Sequence, residues 1–199
     1  KKFQTRACDT ERLIDLLNSA INKAQEILSA RNYTDATPDE LAHMAHVLGI
    51  NAVKYSDLAC HRTGDYVFSL DRMLQFEGNT AAFVCYAYVR VQSIKRKIGA
   101  NLEQLLHSTK IDLQTAEEVE LALQTVQFAE ILDDFVNELL PHRLTEYLYR
   151  LAEKFHTFFH NCRVEGTEQQ NSRILLCEAV ARVLAQGFEL LGLKPLEKM

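Results

Sequence analysis

NTAAFVCYAYVRVQSIKRK, residues 79–97, carries four basic residues, three aromatics and no carboxylate, in a chain whose formal net charge is −5. Set as a helix, with successive residues 100° apart, it places Val84, Ala87, Val91, Ile94 and Ile98 on one face. Phe83, Tyr86, Arg90, Ser93 and Lys97 stack along the opposite one. The first face reads as core and the second as a grip. Flat rings interleaved with cations suit an unpaired nucleic-acid strand, because bases stack on rings while guanidinium and ammonium groups meet phosphates. These residues also allow an ordinary solvated helix face, since basic helices are common and Tyr is often half-buried.

Around this segment the chain favours helix. It has 199 residues with Leu, Ala, Glu and Gln abundant, only 7 Gly and 3 Pro, and room for a sizeable core. An all-α protein is expected. The acidic balance excludes a broad basic surface of the kind that binds DNA non-specifically, so any nucleic-acid site must be a local patch. Cys8, Cys60, Cys85, Cys162 and Cys177 are odd in number, widely spaced and lack a CxxC pair, which predicts reduced thiols in a cytoplasmic setting. No apolar run reaches the ~18 to 20 residues of a membrane span, and no leader pattern precedes the fold. A monomer without a membrane partner is expected. The opening Lys1-Lys2 predicts that the residues begin partway through a longer polypeptide.

Leu13, Ile14, Leu17, Ala20, Ile21, Ala24, Ile27 and Leu28 recur at helical spacing, with Asp9 or Thr10 suited to cap a helix that ends near Asn32. Thr37-Pro38-Asp39-Glu40 is a capping box with proline at the first helical position, and Gly49 is placed to close the helix it opens. Residues 50–60 then predict a third helix, followed by a polar break at 61–65 and a short apolar stretch from Tyr66 to Leu74. Glu77-Gly78-Asn79 is expected to cap the aromatic and basic helix. The main boundary falls there, dividing 1–78 from 79–199. Further starts are predicted at Asn101, at 112–115 and at Pro141, whose apolar pattern runs to a polar loop at 163–166. A last helix from about Gln169 to Leu191, with Glu178, Arg182 and Glu189 as its exposed stripe, reads as the centre of a helical bundle.

Complete active sites are not visible. His43 with His46, and His156 with His160, have helical spacing that brings imidazoles together, but neither pair has a third ligand, and no metal is expected. No GxSxG, Walker loop or GxGxxG occurs. Lys1-Lys2-Phe3-Gln4-Thr5-Arg6 is a short basic opening directly before a helix.

Several pieces fall in a recognisable order: Lys1 to Arg6 with Arg12 to Leu17; Gly49 to Tyr55; Asp65 to Leu74; Gly78 to Ala81 with Tyr86 to Arg90. Leu140 to Leu144, Tyr147 to Tyr149, Leu190 to Gly192 and Glu197 to Met199 complete it. In that order and spacing the chain resembles the C-terminal part of arginyl-tRNA synthetase, a class I aminoacyl-tRNA synthetase, over essentially its whole length. The resemblance implies the end of a catalytic domain and a helical stem-contact region over 1–78, then a DALR-type anticodon-binding helical bundle over 79–199.

It further implies a parent enzyme that joins arginine to its cognate tRNA using ATP with magnesium, and a fragment that binds tRNA, needs no cofactor and lacks most of the active site. Lys2-Phe3-Gln4-Thr5-Arg6 resembles a degenerate KMSKS loop with Thr5 in place of the second lysine, so Lys2 and Arg6 are the implied catalytic positions, facing pyrophosphate charge. The implied anticodon contacts are Tyr86, Arg90, Phe159, Arg163 and Met199, with Phe83, Ser93 and Lys97 as further tRNA contacts. Tyr86 would stack a splayed base while Arg90 meets a phosphate or a base edge. Arg163 departs from the aromatic of relatives and would stack through its guanidinium. Met199 would line a base pocket, with the chain end turned back toward the Tyr86 face. The alternatives are a stand-alone anticodon-binding-like module without catalysis and a plain helical scaffold.

Overall fold

The computed structural model describes residues 12–31 and 36–199. Among these there are nine helices and no strand. They are α1 (Leu13–Ala30), α2 (Pro38–Leu58), α3 (Leu70–Met73), α4 (Ala81–Ile98), α5 (Leu102–Ser108), α6 (Ala116–Val126), α7 (Phe128–Glu138), α8 (Pro141–Asn161) and α9 (Gln170–Leu190). The all-α expectation holds.

Two apolar clusters organise the chain. The larger joins Val84, Ala87 and Val91 of α4 to Leu148, Leu151 and Phe155 of α8 and to Ile174, Cys177 and Leu184 of α9. The smaller joins Leu28 of α1 and Leu48 of α2 to Leu74, Ala82 and Val89. Helix α4 therefore belongs to both, one side to each. No helix among the described residues is long and apolar enough to cross a membrane.

Local signals fix most of the helix starts. Thr37 and Glu40 form the reciprocal capping box, with Thr37 N donating to Glu40 Oε2 at 2.8 Å. Asn101 Oδ1 accepts from Gln104 N, and Thr115 forms a second capping box with Glu118. Gly99 closes α4, whose last turn carries Lys95, Arg96 and Lys97 beside the negative end of the helix dipole.

Several expectations need correction. Gly49 does not end a helix: α2 runs through it to Leu58 and absorbs the helix expected over 50–60. A Cβ at Gly49 would lie 2.7 Å from the Ile21 Cα, so the glycine serves close packing of α2 on α1. At the start of α1 the cap position is held by Arg12, which pairs with Asp15 and makes no side-chain cap bond; Asp9 and Thr10 lie outside the described residues. The cap of α4 is Thr80, whose hydroxyl accepts from Phe83 N at 3.2 Å, while Asn79 instead accepts from the Tyr55 hydroxyl. The segment between 115 and 140 is broken at Gln127 into α6 and α7.

Glu178 is buried instead of exposed, held between Lys95 Nζ at 2.7 Å and Arg182 Nε at 2.8 Å. Finally, the Phe83, Tyr86 and Arg90 stripe is not opposite the core stripe. It stands one residue, about 100°, away from it, and α8 covers it, leaving these three side chains half-buried.

Beyond α9, Gly192 takes φ 64° and the Leu193 N–H returns to Phe188 O at 2.8 Å, a Schellman-type ending. Asn51 then exchanges two hydrogen bonds with the Lys194 backbone, 2.7 and 3.2 Å. Glu197 is tied to the Tyr88 hydroxyl through its carboxylate and to Arg96 through its carbonyl. The final segment thereby runs along the α2 side of α4.

Candidate nucleic-acid interface

On its α8 side, α4 borders a cleft of ≈ 410 Å³. Arg90, Ser93 and Lys97 line it from α4, Phe159 from α8, and Arg163 and Glu165 from the loop that leads to α9. Ile94, Ile98 and Val164 supply apolar wall. Five of the residues predicted from the sequence are therefore brought to one place, Arg90, Ser93, Lys97, Phe159 and Arg163, with Tyr86 behind Arg90.

Their contacts depart from the expected stacking platform. The Arg90 guanidinium carbon lies 4.7 Å from the Tyr86 ring centroid and 4.4 Å from that of Phe159, within the reach of cation–π attraction to both. Tyr86 is also stacked on His156, with centroids 5.7 Å apart and planes 20° apart, and meets the edge of Phe76. Phe83 packs on His156 at 4.7 Å and on Tyr149 at 5.4 Å, so it serves the α4–α8 seam and not the cleft. Burial lowers the Arg90 pKa below the usual arginine value. Burial first, and then the Arg90 charge, likewise lower the pKa of His156, which keeps its imidazole neutral at neutral pH; its Nε2 is buried without a hydrogen-bond partner.

Charges around the cleft are unevenly engaged. Lys97 pairs with Glu165 at 2.5 Å. The Arg163 carbonyl accepts from Arg173 Nη1 at 2.7 Å, and Arg173 Nε donates to Glu118 at 2.6 Å. Glu118 also accepts from the backbone of Gln114 and Thr115. Burial alone would raise its pKa, but Arg173 and these two N–H groups hold it below the usual carboxylate range. A buried network thus fixes the loop that presents Arg163.

Other predicted residues fall elsewhere. Met199 is half-buried against both apolar clusters and does not line the cleft. Lys2 and Arg6 lie outside the described residues. His156 and His160 diverge, the first half-buried beside Tyr86 and the second exposed at the cleft; among the described residues no group of His, Cys, Asp or Glu is placed to hold a metal ion. Sequence reasoning missed the partners His156, Glu165, Glu118 and Arg173. Only His156 left a signal, three residues before Phe159 and so on the same flank of α8.

The bundle with its lateral cleft defines a class. The DALR anticodon binding domain family matches residues 84–199, and the catalytic domain family of class I (R) tRNA synthetases matches residues 1–70. The chain is 57% identical to an arginine–tRNA ligase of Protochlamydia amoebophila and 45% identical to that of Chlamydia felis, aligned over 100% of its length in both. It covers 34% and 35% of those proteins, about a third of their length. Among solved structures, an arginyl-tRNA synthetase from Plasmodium falciparum superimposes with a TM-score of 0.87 at 36% identity, over 94% of this chain and 34% of that one. The Thermus thermophilus arginyl-tRNA synthetase gives 0.80 at 26% identity, over 96% and 33%. The chain belongs to the arginyl-tRNA synthetase family and carries its DALR anticodon-binding domain.

Proposed function

We propose that this chain is the tRNA-binding portion of an arginine–tRNA ligase and grips the anticodon region of arginine-accepting tRNA at the α4–α8 cleft. The parent enzyme joins arginine to that tRNA with ATP and magnesium in the cytoplasm, as a monomer. Residues 1–78 close the catalytic domain and contact the stem; residues 79–199 read the anticodon.

The observation that carries this reading is the cleft itself. It combines apolar wall, the ring of Phe159 and three cations, only one of which, Lys97, is paired with a carboxylate lining the same space. That mixture fits a splayed, unstacked RNA base next to its phosphate. Lys2 and Arg6 fit the charge of a pyrophosphate chemically, being cations.

The test is direct. Anisotropy titration of the chain with a labelled anticodon stem-loop of arginine-accepting tRNA should show binding that weakens as salt rises, because phosphate contacts release counterions. The chain alone should support no arginine-dependent exchange of pyrophosphate into ATP, whereas the full-length protein should. Salt-independent binding, or exchange by the chain alone, overturns the assignment.

A further inference from the structure

We propose that Asn51 and Lys54 of α2 are positioning residues for aminoacyl transfer: they hold the 192–198 segment and thereby fix the angle between the α1–α2 unit and the bundle. A tRNA gripped at the cleft then presents its far end to the catalytic domain in one pose. The proposal rests on the tRNA-binding reading above and adds to it a part that touches neither anticodon nor substrate.

Three observations carry it. First, the segment joins two units. Helix α2 lies in the part matched by the catalytic-domain family, whereas 192–198 lies in the part matched by the anticodon-binding family. Its two buried leucines divide between the cores, Leu193 entering the larger cluster with α4, α8 and α9, and Leu196 the smaller one with α1 and α2. Second, Asn51 is 2% exposed and pairs with a single peptide, Nδ2 donating to Lys194 O at 2.7 Å and Oδ1 accepting from Lys194 N at 3.2 Å. Apolar burial is non-directional and by itself lets two cores slide past one another. The amide does not, because any change of register leaves a buried donor and a buried acceptor unpaired together. Third, the rest of the segment is held from both units at once. From α2, Lys54 Nζ donates to Gly192 O, beside the negative end of the α9 dipole. From α4, the Tyr88 hydroxyl donates to the Glu197 carboxylate at 3.1 Å and Arg96 to the Glu197 carbonyl at 2.9 Å. Asn51, Lys54, Tyr88 and Arg96 do not line the cleft.

A role confined to stability would lower every activity in step with folding, whereas a role in the angle separates whole tRNA from its parts. An anticodon stem-loop occupies the bundle alone and does not sense the angle. The full-length protein and its Asn51→Ala, Lys54→Met and Lys54→Arg variants should therefore be compared by arginylation of whole arginine-accepting tRNA, by titration with the stem-loop and by thermal melting. Asn51→Ala should lower kcat about tenfold or more, because a small misplacement far from the chemistry is costly. Its KM values for arginine and ATP, and its stem-loop Kd, should stay within about twofold of the parent. Lys54→Met, at an exposed position, should lower kcat about threefold, and Lys54→Arg, which keeps the donor, should match the parent. The inference is overturned if Asn51→Ala and Lys54→Met both charge whole tRNA like the parent, or if the loss of kcat only follows unfolding at the assay temperature. A stem-loop affinity that falls as far as kcat also overturns it, since the segment would then belong to the anticodon site. Should Asn51→Ala fail to fold, Lys54→Met decides alone. Failure of the parent to bind any stem-loop would instead overturn the tRNA-binding reading, and this inference with it.

Discussion

Helix α4 and the α6–α7 pair are built from opposite charge inventories. Residues 79–97 hold four cations and no carboxylate; residues 116–139 hold seven carboxylates and no cation. Each segment nevertheless spends most of its charge inside the protein. On α4, Lys95 is taken by Glu178, Arg96 by the Glu197 carbonyl and Lys97 by Glu165, which leaves Arg90 between its rings. On α6 and α7, Glu118 is buried on Arg173, Glu120 pairs with Lys154, and Asp134 and Glu138 meet Arg143. A formal charge of −5 averages two unlike surfaces. What distinguishes them functionally is which charge lacks an internal partner beside a cleft.

The largest test of this contrast is Glu118→Ala. Removing a buried carboxylate that accepts from Arg173 and two backbone N–H groups should cost ~3–5 kcal/mol, read as a fall in urea midpoint. The neighbouring Glu120→Ala, which breaks an exposed pair, should cost at most ~1 kcal/mol. Similar losses for the two would erase the distinction between structural and surface carboxylates on α6. Next in size is charge reversal. Arg163→Glu should weaken stem-loop binding about tenfold at low salt and less at high salt, whereas Glu130→Lys with Asp133→Lys on α7 should change it by no more than about twofold. An α7 effect as large as that of Arg163 would place RNA on the acidic side.

The smallest expected effect is a pH dependence at the seam between α4 and α8. His156 has its folded-state pKa lowered from 6.5, so the unfolded chain takes up the proton first. The stability from its neutral imidazole is fully present above about pH 6.5 and is lost as pH falls toward the folded value, at no more than about 1.4 kcal/mol per pH unit. Melting temperature should therefore fall less steeply between pH 7 and pH 5 in His156→Gln than in the parent. Equal slopes would show that His156 does not carry the titration.

Much of this fold was legible because caps are local. Thr37, Asn101, Thr115 and Pro141 all act within a few residues of themselves, and each stands at or beside a helix start. Gly49 was not legible, since a glycine that stops a helix and a glycine that lets two helices touch look alike in a single sequence. Glu178 failed for a related reason: its ion-pair partner Lys95 lies on another helix, so a pattern along α9 could not bury it. The site divides the same way. The spacing of Tyr86, Arg90, Ser93 and Lys97 put them on one stripe, and the resemblance supplied Phe159 and Arg163. That Arg90 also meets Phe159 depends on the register of α8 against α4, a tertiary fact with no trace in either helix alone.

Gly49 has a consequence in the genetic code. Every single-base change in a glycine codon that alters the amino acid yields a stop or a residue with a Cβ, and that atom would fall 2.7 Å from the Ile21 backbone. Position 49 therefore has no close neighbour in codon space that leaves α1 and α2 where they are. An acceptable change there would have to follow a shift of α1 away from α2, so drift at this site must wait on drift at another.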